Sequence, residues 1–107
     1  MNIELPNKDR PEYITNLSDR DKILIQLFTD VHILNNRNDV DKKQLIELVD
    51  KASKLFSDEW LLFIEIYKIT NNNNYTDLSN QIKKSILSIN YENNELLQIV
   101  KRRMAQI

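Results

Sequence analysis

Trp60-Leu61-Leu62-Phe63-Ile64-Glu65-Ile66-Tyr67-Lys68-Ile69 is the most apolar stretch of this chain. A helix on a protein surface carries one apolar stripe and a polar back, whereas this segment is apolar nearly all round. It is also shorter than the roughly 20 apolar residues that cross a bilayer. The stretch therefore predicts an all-α fold, a compact bundle of four to five short helices in which a helix over residues 58–70 is central.

Two missing residue types exclude several kinds of site. The 107-residue chain contains no glycine, so it cannot form a Walker or dinucleotide phosphate loop or a nucleophile elbow. It contains no cysteine, which excludes disulfides, zinc–thiolate sites and thiol nucleophiles. Asparagine is abundant and tolerates the left-handed backbone conformation that glycine usually adopts. We therefore expect asparagines to end the helices.

The length and the ends of the chain predict one domain in the cytoplasm. Residues 1–16 contain Pro6 and Pro11 among polar residues and are predicted to form an extended N-terminal arm. Residues 17–107 are predicted to form a single helical-bundle domain. The arm has no apolar run like that of a secretory signal, and no stretch of the chain is long and apolar enough to span a membrane.

Hydrophobic periodicity predicts four further helices around the central one. The first begins near Ser18, the second runs over residues 39–56 with Asp39 or Asp41 as its cap, and the others follow Tyr75 and the break at residues 90–94. Ser57 is predicted to cap the central helix, with a loop following at residues 71–74. The predicted inward face of the first helix consists of Leu24, Leu27, Phe28, Val31 and Leu34, widened by Ile23, Ile25 and Ile33. That of the second helix consists of Leu45, Leu48, Val49, Ala52, Leu55 and Phe56. The inward residues of the fourth helix are Leu78, Ile82, Ile86 and Ile89, and those of the fifth are Leu96, Leu97, Val100, Met104 and Ile107.

Residue types that could support catalysis or metal binding occur without the partner residues that such sites require. His32 is the only histidine, so a metal or triad role has no obvious partner. The oxygen-rich residues 36–41 suggest a calcium loop, but Val40 falls where a ligand is needed, so we interpret them as caps and a turn. Glu65 is the one acid in the apolar stretch and is expected to pair with Lys68. No catalytic residue, metal ligand or cofactor is predicted, and the chain is not expected to be an enzyme.

Two resemblances suggest a context for such a domain. The segments Asp58-Glu59-Trp60-Leu61-Leu62 and Glu65-Ile66-Tyr67 resemble helical tails of some bacterial aromatic amino-acid hydroxylases, which implies a helical accessory domain of a larger enzyme. The chain has no His-x-x-x-His iron-ligand pattern of its own. In length and helical class it is also similar to small bacteriocin-immunity proteins, which are antiparallel helical bundles.

The leading functional prediction is a non-enzymatic domain that binds a protein partner or self-associates. We expect apolar surface left on the third or fifth helix to form the contact. The candidate interaction residues are Trp60, Phe63, Tyr67, Arg102 and Arg103. The alternative is a small helix–turn–helix regulator built on helices two and three or four and five, but a net charge of -1 and the lack of a basic face disfavour nucleic acid.

Overall fold

Five helices make up the part of the chain that the structure, a computed structural model, describes, which is residues 17–107. They are α1 (Asp19–Asn35), α2 (Lys42–Leu55), α3 (Trp60–Asn72), α4 (Thr76–Leu87) and α5 (Asn94–Ala105). No strand occurs within these residues, which confirms the all-α prediction. The predicted N-terminal arm, residues 1–16, lies outside the described residues.

Side-chain caps begin three of the helices. Ser18 Oγ accepts a hydrogen bond from the Asp21 amide at 3.1 Å. Asp41 accepts one from the Lys43 amide at 3.0 Å, so α2 starts after Asp41 and not at residue 39. Asn93 accepts from the Leu96 amide at 2.8 Å and begins α5. Each cap satisfies one of the amides that a helix start leaves without a partner.

The predicted cap of the central helix by Ser57 is wrong. The Ser57 hydroxyl donates to the Asp58 carboxylate at 2.9 Å, and α3 begins only at Trp60, after Glu59, which makes no side-chain cap. The cause is Phe56, which is buried in the core and holds the backbone in a turn: the Glu59 amide donates to the Phe56 carbonyl at 3.0 Å. That turn uses the residues that would otherwise have formed the first turn of the helix.

Asparagines end the central helix, as predicted, but two residues later than expected. The helix continues through Asn71 and Asn72, and Asn73 is its C-cap. The Asn73 side-chain amide donates to the Ile69 carbonyl at 2.8 Å. Asn74 follows with a φ of 60°, in the left-handed region. Asn36 ends α1 in the corresponding C-cap position, with a negative φ of -92°. Asn74 is therefore the asparagine that takes the conformation that glycine usually adopts after a helix.

Helix α3 lies at the centre of the bundle and closely approaches each of the other four described helices. Its fully buried apolar residues are Leu62, Phe63, Ile64, Ile66 and Ile69. Its outer side is one narrow stripe at steps of three and four residues, consisting of Leu61, Glu65, Lys68 and Asn72. The structure thus confirms the central position predicted for this segment. Burying each large apolar side chain contributes about 1.5–3 kcal/mol, which makes α3 the main source of cohesion.

The other helices bury narrower faces than predicted. Only Leu27, Val31 and Leu34 of α1 are fully buried, and α5 fully buries only Val100. The residues predicted to face inward that are instead exposed are Ile23, Ile25, Ile33, Leu55 and Ile107. They are exposed because α3 is the principal neighbour of the outer helices, so only the side of each that faces α3 is covered. None of the five described helices is both long enough and apolar enough to cross a bilayer.

Candidate functional site

The connection between α1 and α2 is held in place by side-chain contacts, and the two helices run in opposite directions. The Arg20 guanidinium, at the start of α1, lies 4.8 Å above the Phe56 ring, just after the end of α2. Between the two helices Val40 is fully buried, and its amide donates to the Asn73 side chain at 3.3 Å. The Tyr75 hydroxyl donates to the Val40 carbonyl. These contacts fix the connection to the junction of α3 and α4, and so fix how α1 and α2 diverge over the core.

The diverging helices leave a groove of about 300 Å³ between them. Buried leucines form its floor: Leu27 and Leu34 from α1, and Leu48 from α2. Ile33 stands at its edge with 53% of its surface exposed. Ile33 is the apolar residue of this lining whose exposed surface a partner could cover, beside leucines that are already packed in the core.

Charged side chains of both signs surround the apolar floor. Asp30 and Glu47 line opposite walls, Asp30 on α1 and Glu47 on α2. Arg37 lies at the end near the α1–α2 connection, where its amide donates to the Leu34 carbonyl at 3.1 Å. Lys51 lies toward the other end. The Asp30 carboxylate accepts a hydrogen bond from the Gln26 side chain at 3.0 Å, which orients it.

The structure distributes the predicted interaction residues over separate places. Phe63 is 1% exposed and packs in the core. Trp60 is half-buried against the core with the Arg103 guanidinium 5.9 Å above its ring, and these are the two predicted residues that meet. Tyr67 is half-buried, and its carbonyl accepts the Thr70 hydroxyl at 2.7 Å. Arg102 is exposed on the outer side of α5.

The groove contains residues that the sequence analysis assigned to the buried face. Ile33 was expected to widen the inner side of α1, but it lies at an angle to Leu27 and Leu34 that the core does not cover. A signal was available in the pattern, because the apolar residues of α1 occupy more of the helix circumference than one packed face can bury. Of the apolar residues of α1 that the core leaves uncovered, Ile25 and Ile33 are the most exposed, at 52% and 53%. They lie eight residues apart.

The polar residues considered for catalysis or metal binding have structural contacts. Asp41 caps α2, and the Asn36 side chain donates to the His32 carbonyl at 3.1 Å, as the cap-and-turn interpretation predicted. Glu65 pairs with Lys68 at 3.0 Å, as expected. Within residues 17–107 no three histidine, aspartate or glutamate side chains are grouped as a metal ion requires.

One tyrosine has a perturbed titration for a structural reason. Burial raises the pKa of Tyr91 above its usual value of about 10, because the phenolate would lose hydration there. Its hydroxyl donates to the Ile86 carbonyl at 2.7 Å, which ties the connection between α4 and α5 to the end of α4.

No family model, curated protein or solved structure matches this chain. The resemblances to hydroxylase tails and to bacteriocin-immunity proteins therefore remain predictions.

Proposed function

We propose that this chain is a non-enzymatic protein-interaction domain, acting in the cytoplasm, whose binding surface is the groove between α1 and α2. The observation that carries the proposal is the position of Ile33, a half-exposed isoleucine at the edge of a floor of buried leucines. Because Ile33 is 53% exposed, covering it removes about half of the apolar surface of an isoleucine from water, which favours association.

The composition of the groove supports this role. Protein interfaces combine an apolar centre with a polar rim that remains partly hydrated. Here leucines and Ile33 provide the centre, and Asp30, Glu47 and Lys51 belong to the rim. Grooves between two helices commonly receive the apolar face of a third helix, whose side chains fit at steps of three and four residues. An amphipathic helix is therefore the expected ligand.

The alternative of a helix–turn–helix DNA binder receives less support. In such motifs the second helix enters the major groove and must present a free face. In the α2–α3 pair the second helix is α3, whose only outward stripe carries Leu61 and the paired Glu65 and Lys68. The turn before α3 carries Asp58 and Glu59, which would repel phosphates.

Photo-crosslinking tests the proposed surface with a control on the same helix. A benzophenone amino acid is placed at Ile33 in one variant and at Ile25 in the other, in the full chain expressed in cells. Both positions carry isoleucine on α1 with almost equal exposure, but only Ile33 lines the groove. We expect a discrete crosslinked product from position 33 and none from position 25. No product at position 33, or the same products at both, would refute the groove as the binding surface.

A further inference from the structure

We infer that the α1–α2 groove binds a second copy of the same chain, through a two-fold symmetric contact in which the end of α1 from each copy occupies the groove of the other. The inference rests on the proposed function and names the partner. In a two-fold interface the same patch faces itself, so it must be complementary to itself in shape and in charge. The groove meets this condition for charge through three residues: Asp30, Arg37 and Glu47.

The antiparallel register gives the positions of these charges. The Arg20–Phe56 contact joins the start of α1 to the residue after the end of α2, and residues 36–41 connect the other ends of the two helices. Asp30 from α1 and Glu47 from α2 both line the groove between them and supply its two carboxylates. Arg37 lies beyond the end of α1, in the turn after Asn36, where its amide donates to the Leu34 carbonyl at 3.1 Å. The patch thus has an acidic site beside α1 and a basic site just after its end.

A two-fold axis between Ile33 and Leu34 superimposes opposite charges. The axis lies midway between positions 30 and 37, so two antiparallel copies of α1, each with the turn that follows it, exchange these positions. Arg37 of each copy then faces the acidic pair, Asp30 and Glu47, of the other. The same axis brings the two Ile33 side chains together over the leucine floor. One arrangement therefore covers the apolar centre and pairs the charges at both ends.

The charges of the groove favour a copy of this chain over a partner with a large charge of one sign. The groove holds two acids and two bases, Asp30 and Glu47 with Arg37 and Lys51, so it has little net field to attract an acidic or a basic protein from a distance. A matching partner instead presents an isoleucine near the end of a helix and an arginine in the turn that follows it. Ile33 and Arg37 supply this pattern within the chain itself.

Sedimentation equilibrium of the full chain tests the apolar centre. We expect the wild-type chain to show a monomer–dimer equilibrium at micromolar concentrations. Ile33→Asp should weaken dimerisation at least about tenfold, because it would bury a carboxylate at the centre of the contact. Ile25→Asp, which makes the same change at a matched exposure outside the groove, should leave the dimerisation constant unchanged. Helical circular dichroism of both variants checks that each is folded.

A charge-exchange experiment tests the reciprocal pairing. Asp30→Arg alone should weaken dimerisation because the new arginine faces Arg37 of the other copy. Arg37→Asp alone should weaken it because the new aspartate faces Asp30 and Glu47. An equimolar mixture of the two variants should associate more strongly than either variant alone, since both contacts then join opposite charges. A mixture that associates no better than its components would overturn the reciprocal arrangement.

The outcomes separate this inference from the proposed function. A wild-type chain that remains monomeric up to about 1 mM, the weakest range of specific association, would overturn self-association. So would equal weakening by Ile33→Asp and Ile25→Asp. If crosslinking at position 33 then gave a product whose mass is not twice that of the chain, the groove would remain a protein-binding surface with a different occupant. If position 33 gave no product, the proposed function would fail as well.

Discussion

Replacing Phe63 with alanine is expected to lower the free energy of unfolding by about 3–5 kcal/mol, as measured by urea denaturation. Phe63 is fully buried on the helix that contacts all four of its described neighbours, so little backbone movement can close the cavity that its removal leaves. Domains of this size are commonly stable by about 5–15 kcal/mol, so this substitution removes a large part of the total.

Leu61→Ala is the matched control for this loss. Leu61 lies two residues away on the same helix and is 41% exposed, on the outer stripe. We expect it to change the free energy of unfolding by no more than about 0.5 kcal/mol, in the range of ordinary surface substitutions. Comparable losses for both variants would mean that α3 is not packed as the structure has it. If Phe63→Ala does not fold, Phe63→Leu provides a milder substitution that retains most of the side-chain volume.

Replacing Trp60 with alanine is expected to cost about 3 kcal/mol, at the lower end of the range for large aromatic residues. Trp60 is half-buried against the core, and its outer side lies beneath the Arg103 guanidinium. Arg103→Ala should therefore cost about 0.5–1 kcal/mol, the contribution of an exposed cation–π contact. Thermal melts of the two single variants and of the double variant measure both contributions and their coupling.

The Trp60→Ala variant also tests whether Trp60 belongs to the core or to a binding surface. Because it lies outside the α1–α2 groove, Trp60→Ala at a temperature where it is still folded should not change dimerisation. An unchanged melting temperature together with lost association would show that Trp60 is an interface anchor. That result would contradict its packing against the core.

The sequence was sufficient to predict the central helix, for a simple physical reason. Between Trp60 and Ile69 only Glu65 and Lys68 are charged, and they lie three residues apart, on the single stripe that the bundle leaves exposed. Such a pattern is compatible with burial on nearly every side. The asparagine-rich ends were also predictable, because in a chain without glycine Asn74 is the residue type best able to adopt a φ of 60°.

The start of the central helix could not be predicted from local capping rules. Ser57 followed by two acids is a good cap in isolation, but the burial of Phe56 moved the start of the helix to Trp60. That burial depends on contacts distant in sequence, among them the Arg20 guanidinium above the ring. Local propensity is a weak preference that tertiary packing can override.

The groove was missed because periodicity identifies an apolar face without saying how wide a face the neighbouring helices cover. Ile33 and Leu34 are adjacent in sequence and both apolar, yet Leu34 is buried and Ile33 is half-exposed. Leu34 lies on the side of α1 that α3 covers, and Ile33 points about 100° away from it around the helix. Phe63 was predicted as a possible interaction residue because its spacing from Trp60 and Tyr67 puts the three on one helix face.

Native-state hydrogen exchange tests most directly the claim that the fold is organised around α3. Amides that open only when the whole domain unfolds report the global free energy of unfolding, whereas peripheral helices open at lower cost. We predict that the slowest amides lie in residues 64–69 and that their exchange free energy equals the value from urea denaturation. Slowest exchange in α1 or α2, with the amides of residues 64–69 opening at a lower free energy, would contradict this account.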